Sequence, residues 1–167
     1  MKYIGVAIAA TLLSACAGLP PYEPPAGVPL SSMSLERKGI EGMAMVFYAN
    51  GTNCTAKRAL PGGSAFWDGK PVSLEAGREY ALGMMTIVET RLQLPVISST
   101  TCGMQIVSFK PEPNGVYKFT YAAEKAEKKC HIRLLRVGAD GRETAESTAR
   151  WRQPLPIQSS DAPECAA

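Results

Sequence analysis

Residues 116–122 read Val116-Tyr117-Lys118-Phe119-Thr120-Tyr121-Ala122, and their alternation decides the fold. Successive side chains on a strand point to opposite faces, with a period of two. Tyr117, Phe119 and Tyr121 therefore share one face, with Lys118 and Thr120 on the other. A helix would bring together residues three and four apart and split this aromatic row. The stretch predicts a strand whose aromatic face turns inward to a core. Turned outward, the same row would stack on sugars or peptidoglycan glycans.

Strand signals continue in both directions. Residues from Gly103 to Lys110 precede Pro111-Glu112-Pro113-Asn114-Gly115, and with Val116 to Ala122 they read as a hairpin. Cys130 to Val137 predicts another strand, Gly138 to Arg142 a turn, and Glu143 to Trp151 a further extended segment. Upstream, Met43 to Ala49 predicts a strand closed by Asn50-Gly51, a strong turn signal. Val72 to Leu74 and Arg78 to Val88 flank the glycine-containing turn Glu75-Ala76-Gly77. Pro61-Gly62-Gly63 marks a loop. Glu89 to Thr101 shows less pattern and reads as a long connection. No helix is convincing; Ala122 to Lys129 is the best short candidate, in a charged stretch that also reads as a turn. Six to eight short strands with turn signals predict an all-β fold: an antiparallel β-sandwich, immunoglobulin-like, or a small barrel. This domain is expected over residues 39–152. The tail, 153–167, is rich in Pro, Ser and Ala, and is loose unless Cys165 pins it.

The first residues follow a different logic. Met1 to Cys16 reads M-K-Y-I-G-V-A-I-A-A-T-L-L-S-A-C. Lys2 supplies a positive start, an uncharged run follows to Leu13, and small residues lead to Cys16, which is the layout of a secretory signal. The apolar run is about ten residues, against the ~20 that a membrane-spanning helix needs. Leu13-Ser14-Ala15-Cys16 resembles the lipobox of bacterial lipoproteins. That resemblance implies cleavage before Cys16, diacylglycerol on its thiol and acylation of its new amino group. Residues 1–15 are then the signal peptide. Ala17, rather than Asp, at the next position implies the outer membrane by the same resemblance. One acyl chain holds a protein only marginally, at ~0.8 kcal/mol per buried methylene, so two or three are needed for lasting attachment. Residues 16–38 follow as a tether: Pro20, Pro21, Pro24, Pro25 and Pro29 preclude helix and favour an extended polyproline form.

Removing the signal leaves about 150 of the 167 residues, which suits one domain. The net charge of +3 for the whole chain argues against a nucleic-acid partner, which would call for a concentrated basic patch. Cys54, Cys102, Cys130 and Cys165 follow the anchor. An even number in an exported chain predicts two disulfides. Three pairings are open; Cys54 with Cys102 and Cys130 with Cys165 is the expected one, since both close adjacent parts of a sheet. A zinc site is the rival, but there is no C-x-x-C and the one histidine, His131, abuts Cys130.

Other chemistry finds little support. A nucleophilic site would have only His131 as its imidazole base, and G-x-S-x-G is absent. The acidic residues are scattered, and no pair is singled out for glycoside hydrolysis. Gly62-Gly63 lacks the Lys-Ser/Thr of a phosphate loop. Met43, Met45 and the Met84-Met85 pair would suit Cu(I), yet Phe47 continues the first face as a core stripe does. No cofactor or metal is expected. Trp67 and Trp151, each near a turn or strand end, are the candidates for a surface contact.

These readings describe a membrane-anchored envelope lipoprotein. It is expected to be no enzyme and to act as a protein-binding or assembly component, its partners the membrane and another envelope protein. A glycan- or peptidoglycan-binding module is the alternative. A hydrolase inhibitor is another: lipoproteins that inhibit lysozyme are similar in size and location, although their paired Ser/Gly/Tyr loop motifs are not evident here.

Overall fold

A computed structural model describes residues 19–38, 42–62, 64–93, 96–124, 129–156 and 163–166. Along these, the elements are β1 (Leu30–Lys38), β2 (Gly42–Asn50), β3 (Thr55–Arg58), the single helical turn α1 (Ser64–Trp67), β4 (Val72–Glu75), β5 (Tyr80–Gln93), β6 (Val96–Phe109), β7 (Val116–Glu124), β8 (Lys129–Val137), β9 (Glu143–Ala145) and β10 (Arg150–Arg152). They form two sheets, ordered β4-β1-β7-β8-β9 and β10-β6-β5-β2-β3. All pairings are antiparallel except that of β1 with β7. The fold is a β-sandwich, and neither sheet closes into a barrel. An immunoglobulin domain pairs its first two strands, whereas β1 and β2 lie in opposite sheets here.

One core joins the sheets. Tyr117, Phe119 and Tyr121 are all buried and meet inward residues of both layers, among them Met33, Leu35, Phe47, Leu82, Met84, Phe109, Ile132 and Leu134. The inward reading of the aromatic row therefore holds. Met43 and Met45 pack against this core beside Phe47, as fillers of an apolar face. Asn50-Gly51 closes the β2–β3 hairpin for a steric reason. A Cβ on Gly51 would lie 2.4 Å from the Tyr80 carbonyl carbon, so only glycine fits beneath that strand.

Four expectations change. The folded domain begins before residue 39. β1 stands between β4 and β7 within its sheet, and Met33 and Leu35 are buried. The prolines before it do not simply space the domain from a membrane. Pro20 accepts a hydrogen bond from the Ala59 N–H at 2.9 Å, and Tyr22 enters the core. There the Tyr22 ring meets Phe47 edge-on, and its hydroxyl lies 2.6 Å from that of Tyr80. Secondly, Glu89 to Thr101 is no loose connection but the far part of the β5–β6 hairpin, continuously paired from Tyr80↔Phe109 to Gln93↔Val96 apart from two register shifts. Its β-branched content (Thr90, Val96, Ile97, Thr100, Thr101) favours strand even without clear alternation. Thirdly, Pro111 to Gly115 joins strands of opposite sheets rather than a hairpin, since β6 and β7 face each other across the core. Asn114 adopts φ 58° in this crossing and donates to Leu30. Lastly, Ala122 to Glu124 complete β7 and Lys129 opens β8, because cross-strand pairing prevails over the helical tendency of the alanines; 125–128 lie outside the described residues.

The disulfide pairing also differs from expectation. Cys54 bonds Cys165, and Cys102 bonds Cys130. The second links β6 to β8 across the sandwich. The first fastens the tail over the outer face of the β2-containing sheet, where Tyr48, Ala81 and Ile106 form a second small core with the two cysteines. Glu164 is buried beside it, paired with Lys57 and accepting the Tyr48 hydroxyl at 2.5 Å. Burial, and next the Glu164 carboxylate, push the Tyr48 hydroxyl well above the usual tyrosine range.

Two outcomes test this account. A chain starting at residue 39 is expected to lose cooperative thermal unfolding by circular dichroism, whereas one starting at residue 19 keeps it. Lys57→Met strands a buried carboxylate and should cost on the order of 3 kcal/mol in urea unfolding; adding Glu164→Gln to it should recover part of the loss.

Candidate functional site

The outer face of the β1-containing sheet is rich in charged side chains. β7 pairs with β1 on one side and β8 on the other, which places Glu36, Lys118, Thr120, His131 and Arg133 on a shared surface. Lys118 bridges Glu143 and Glu36. The Lys38 and then Lys118 ammonium groups hold the Glu36 carboxyl below its usual range, while Glu143 and Glu36 raise Lys118. His131 Nε2 lies 3.2 Å from Glu124. These groups border a shallow depression of about 330 Å³. Apart from Arg133, their charges are mutually compensated and solvated, so most of the face has little unmet demand.

The margin of this sheet is different. β9 pairs with β8 only at Leu135, Arg136 and Val137, and Glu146 N–H adds a bond to the Leu134 carbonyl. The stretch of β8 before Leu134 has no described strand on that side. Across from it runs β10, which pairs only with β6, Trp151 lying opposite Val107. Between them is a cleft of about 280 Å³, lined by Gln105, Cys130, His131, Ile132, Arg133 and Trp151. Trp151 is 59% exposed, the most open large apolar side chain among the described residues. The Gln105 side-chain oxygen, Oε1, is buried without a hydrogen-bond partner. Arg133 forms no ion pair with any described residue. The cleft thus combines an aromatic surface, an unpaired amide acceptor and one uncompensated guanidinium group.

A three-residue strand is a weak holder for such a tryptophan, and Arg152 reinforces it. Its Nε donates to Ser108 Oγ at 2.9 Å and its Nη2 reaches Glu79 Oε1 at 2.7 Å. Burial alone would raise the Glu79 carboxyl, but hydrogen bonds from Arg152, Ser108 and Thr52 outweigh it and hold the group below its usual 4.5.

Cys16 and the signal lie outside the described residues. All four later cysteines are bonded in pairs. Trp67 is partly buried against the core, with the Arg37 guanidinium 5.7 Å from its ring centre. Trp151 lines the cleft and Trp67 does not. His131 and Arg133 line the cleft with Trp151, a juxtaposition that no local motif announces, since it brings β8 against a strand of the other sheet. Their shared face was readable from the period-two spacing of β8; Gln105 left no signal. Among the described residues no group of three His, Cys, Asp or Glu side chains is placed to hold a metal. Comparison with protein-family models, curated proteins and solved structures finds no match.

The Glu79–Arg152 pair gives a pH test. A carboxyl lowered by folding adds stability above its unfolded pKa, and that contribution is lost as pH falls through the folded value. Glu79→Gln is expected to flatten this acid-side loss, on the order of 1 kcal/mol between about pH 6 and about pH 3. Trp151 emission in a Trp67→Phe background, followed through urea unfolding at each pH, measures it.

Proposed function

We propose that this chain is an exported lipoprotein, acylated at Cys16, whose sandwich serves as a non-enzymatic protein-binding or assembly component of the cell envelope. The observation that carries the reading is the division of the cysteines. Cys54, Cys102, Cys130 and Cys165 satisfy one another in two disulfides, and Cys16 is left over at the position where the lipobox needs a thiol. Disulfides persist in oxidising compartments, which agrees with export. An envelope protein held by its lipid end meets partners by diffusion in two dimensions, so even a small contact surface suffices at the raised local concentration. The cleft under Trp151 is such a surface: open, aromatic and bordered by uncompensated charge. Ala17 supports the outer membrane as the destination.

Cys16→Ala is expected to abolish incorporation of radiolabelled palmitate and to release the chain from membranes, with both disulfides still formed. Persistent labelling would contradict the anchor. Crosslinking in intact cells should trap a specific envelope protein; recovery of lipid and bulk porins alone would count against the binding role.

A further inference from the structure

We infer that the open edge of β8, Cys130 to Arg133, takes up an extended acidic segment of a protein partner as an added strand, with Trp151 covering it. This deepens the protein-binding reading above and rests on it.

The backbone supplies the first argument. In an antiparallel strand, the N–H and C=O of one residue point to the same side, and alternate residues share that side. The Leu134 carbonyl is taken by Glu146 on the β9 side. Ile132, two residues earlier, turns its own N–H and C=O the same way, beyond the point where β9 pairing begins at Leu135. An edge of this kind is a template for another strand. At ~3.3 Å per residue, the open stretch offers about 13 Å, room for a strand of about four residues.

Side chains indicate what that strand carries. Trp151 belongs to the opposite sheet, so its ring forms the far wall of the groove rather than part of the β8 surface. It provides one apolar contact for an alternating segment. Arg133 lines the groove, is exposed and is paired with no described residue. The nearest carboxylates are otherwise engaged: Glu124 faces His131, and Glu146 is buried and caps its own turn through Thr148. Charge complementarity therefore favours acidic residues alternating with apolar ones.

The test uses the full chain in mild detergent with Trp67→Phe, leaving Trp151 as the reporter. The probe is a short synthetic peptide of alternating glutamate and valine. It should shift Trp151 emission saturably and lose affinity as salt rises. Methylating alternate backbone nitrogens of the peptide should weaken binding about tenfold or more, as should Arg133→Glu with unchanged circular dichroism. Equal binding of the methylated peptide, or of a lysine–valine peptide, would overturn the proposal. So would a Trp151 response to chitooligosaccharides but not to peptide, or occupation of the edge by a second copy, seen as a dimer in sedimentation that Arg133→Glu dissolves. A failed peptide with a successful cellular crosslink would remove this edge while leaving the protein-binding reading intact.

Discussion

The structure depends on β7 presenting three aromatic rings to the same side while being held along both edges. Tyr117, Phe119 and Tyr121 fill the space between the sheets, and a one-residue slip of β7 would send all three into solvent. Two neighbours prevent that slip. β8 fixes the register from Val116↔Val137 to Glu124↔Lys129, and β1 fixes it again from the other side, in parallel. A parallel neighbour cannot arrive by a short turn. β1 therefore has to come from far away in the chain, which is why a segment before the expected domain boundary stands at the centre of a sheet.

That arrangement explains what was legible in the sequence. The class of fold was, because alternation appears wherever one face of a strand packs on a core, as it does along β2, β7 and β8. β1 was harder. It reads Leu-Ser-Ser-Met-Ser-Leu-Glu-Arg-Lys, and Met33 and Leu35 do alternate with serines, but five preceding prolines drew attention to a tether. Proline forbids helix without forbidding attachment, and here the Pro20 carbonyl and Tyr22 bind the segment to the sandwich. The disulfide pairing was out of reach because it follows from which strands cross the core, and spacing along the chain carries no such information. Trp151 was readable as a surface residue; its neighbours in the cleft were not, since they come from a different sheet. Glu164 shows the limit most sharply: a glutamate in a polar tail becomes buried only because Cys165 is tied to Cys54 next to it.

The two disulfides do different work. Cys54–Cys165 closes a separation of 111 residues and Cys102–Cys130 one of 28. Restriction of the unfolded chain grows slowly with loop length, giving about 5 against about 4 kcal/mol. The entropic difference is small, so placement matters more. The longer link turns the outer face of one sheet into a covered one, with a buried Tyr48–Glu164–Lys57 set beneath the tail. The shorter link holds β8 against β6 at the end of the sandwich where β9 does not reach.

These placements leave the molecule asymmetric, and the asymmetry narrows where a partner can sit. Terminal strands β3, β4, β9 and β10 are three or four residues long, and short edge strands limit unintended pairing. The bridge from Pro21 to Ala59, just beyond β3, further occupies that margin. One outer face is partly covered by the tail; the other is a lattice of ion pairs around Lys118 whose charges already have partners. Like β3, β4 and β10 beside β2, β1 and β6, β9 ends before its longer neighbour does, and along the first half of β8 the gap this leaves lies opposite Trp151. Unpaired backbone, an exposed indole and the uncompensated Arg133 meet at that gap. A longer β9 would have sealed the edge with the same backbone bonds used elsewhere in the sheet, so the gap follows directly from where the chain crosses from β9 to β10. That crossing also carries Trp151 to the opposite wall. The feature that opens the edge and the feature that would cover a bound strand are thus products of one short connection, Glu146 to Ala149.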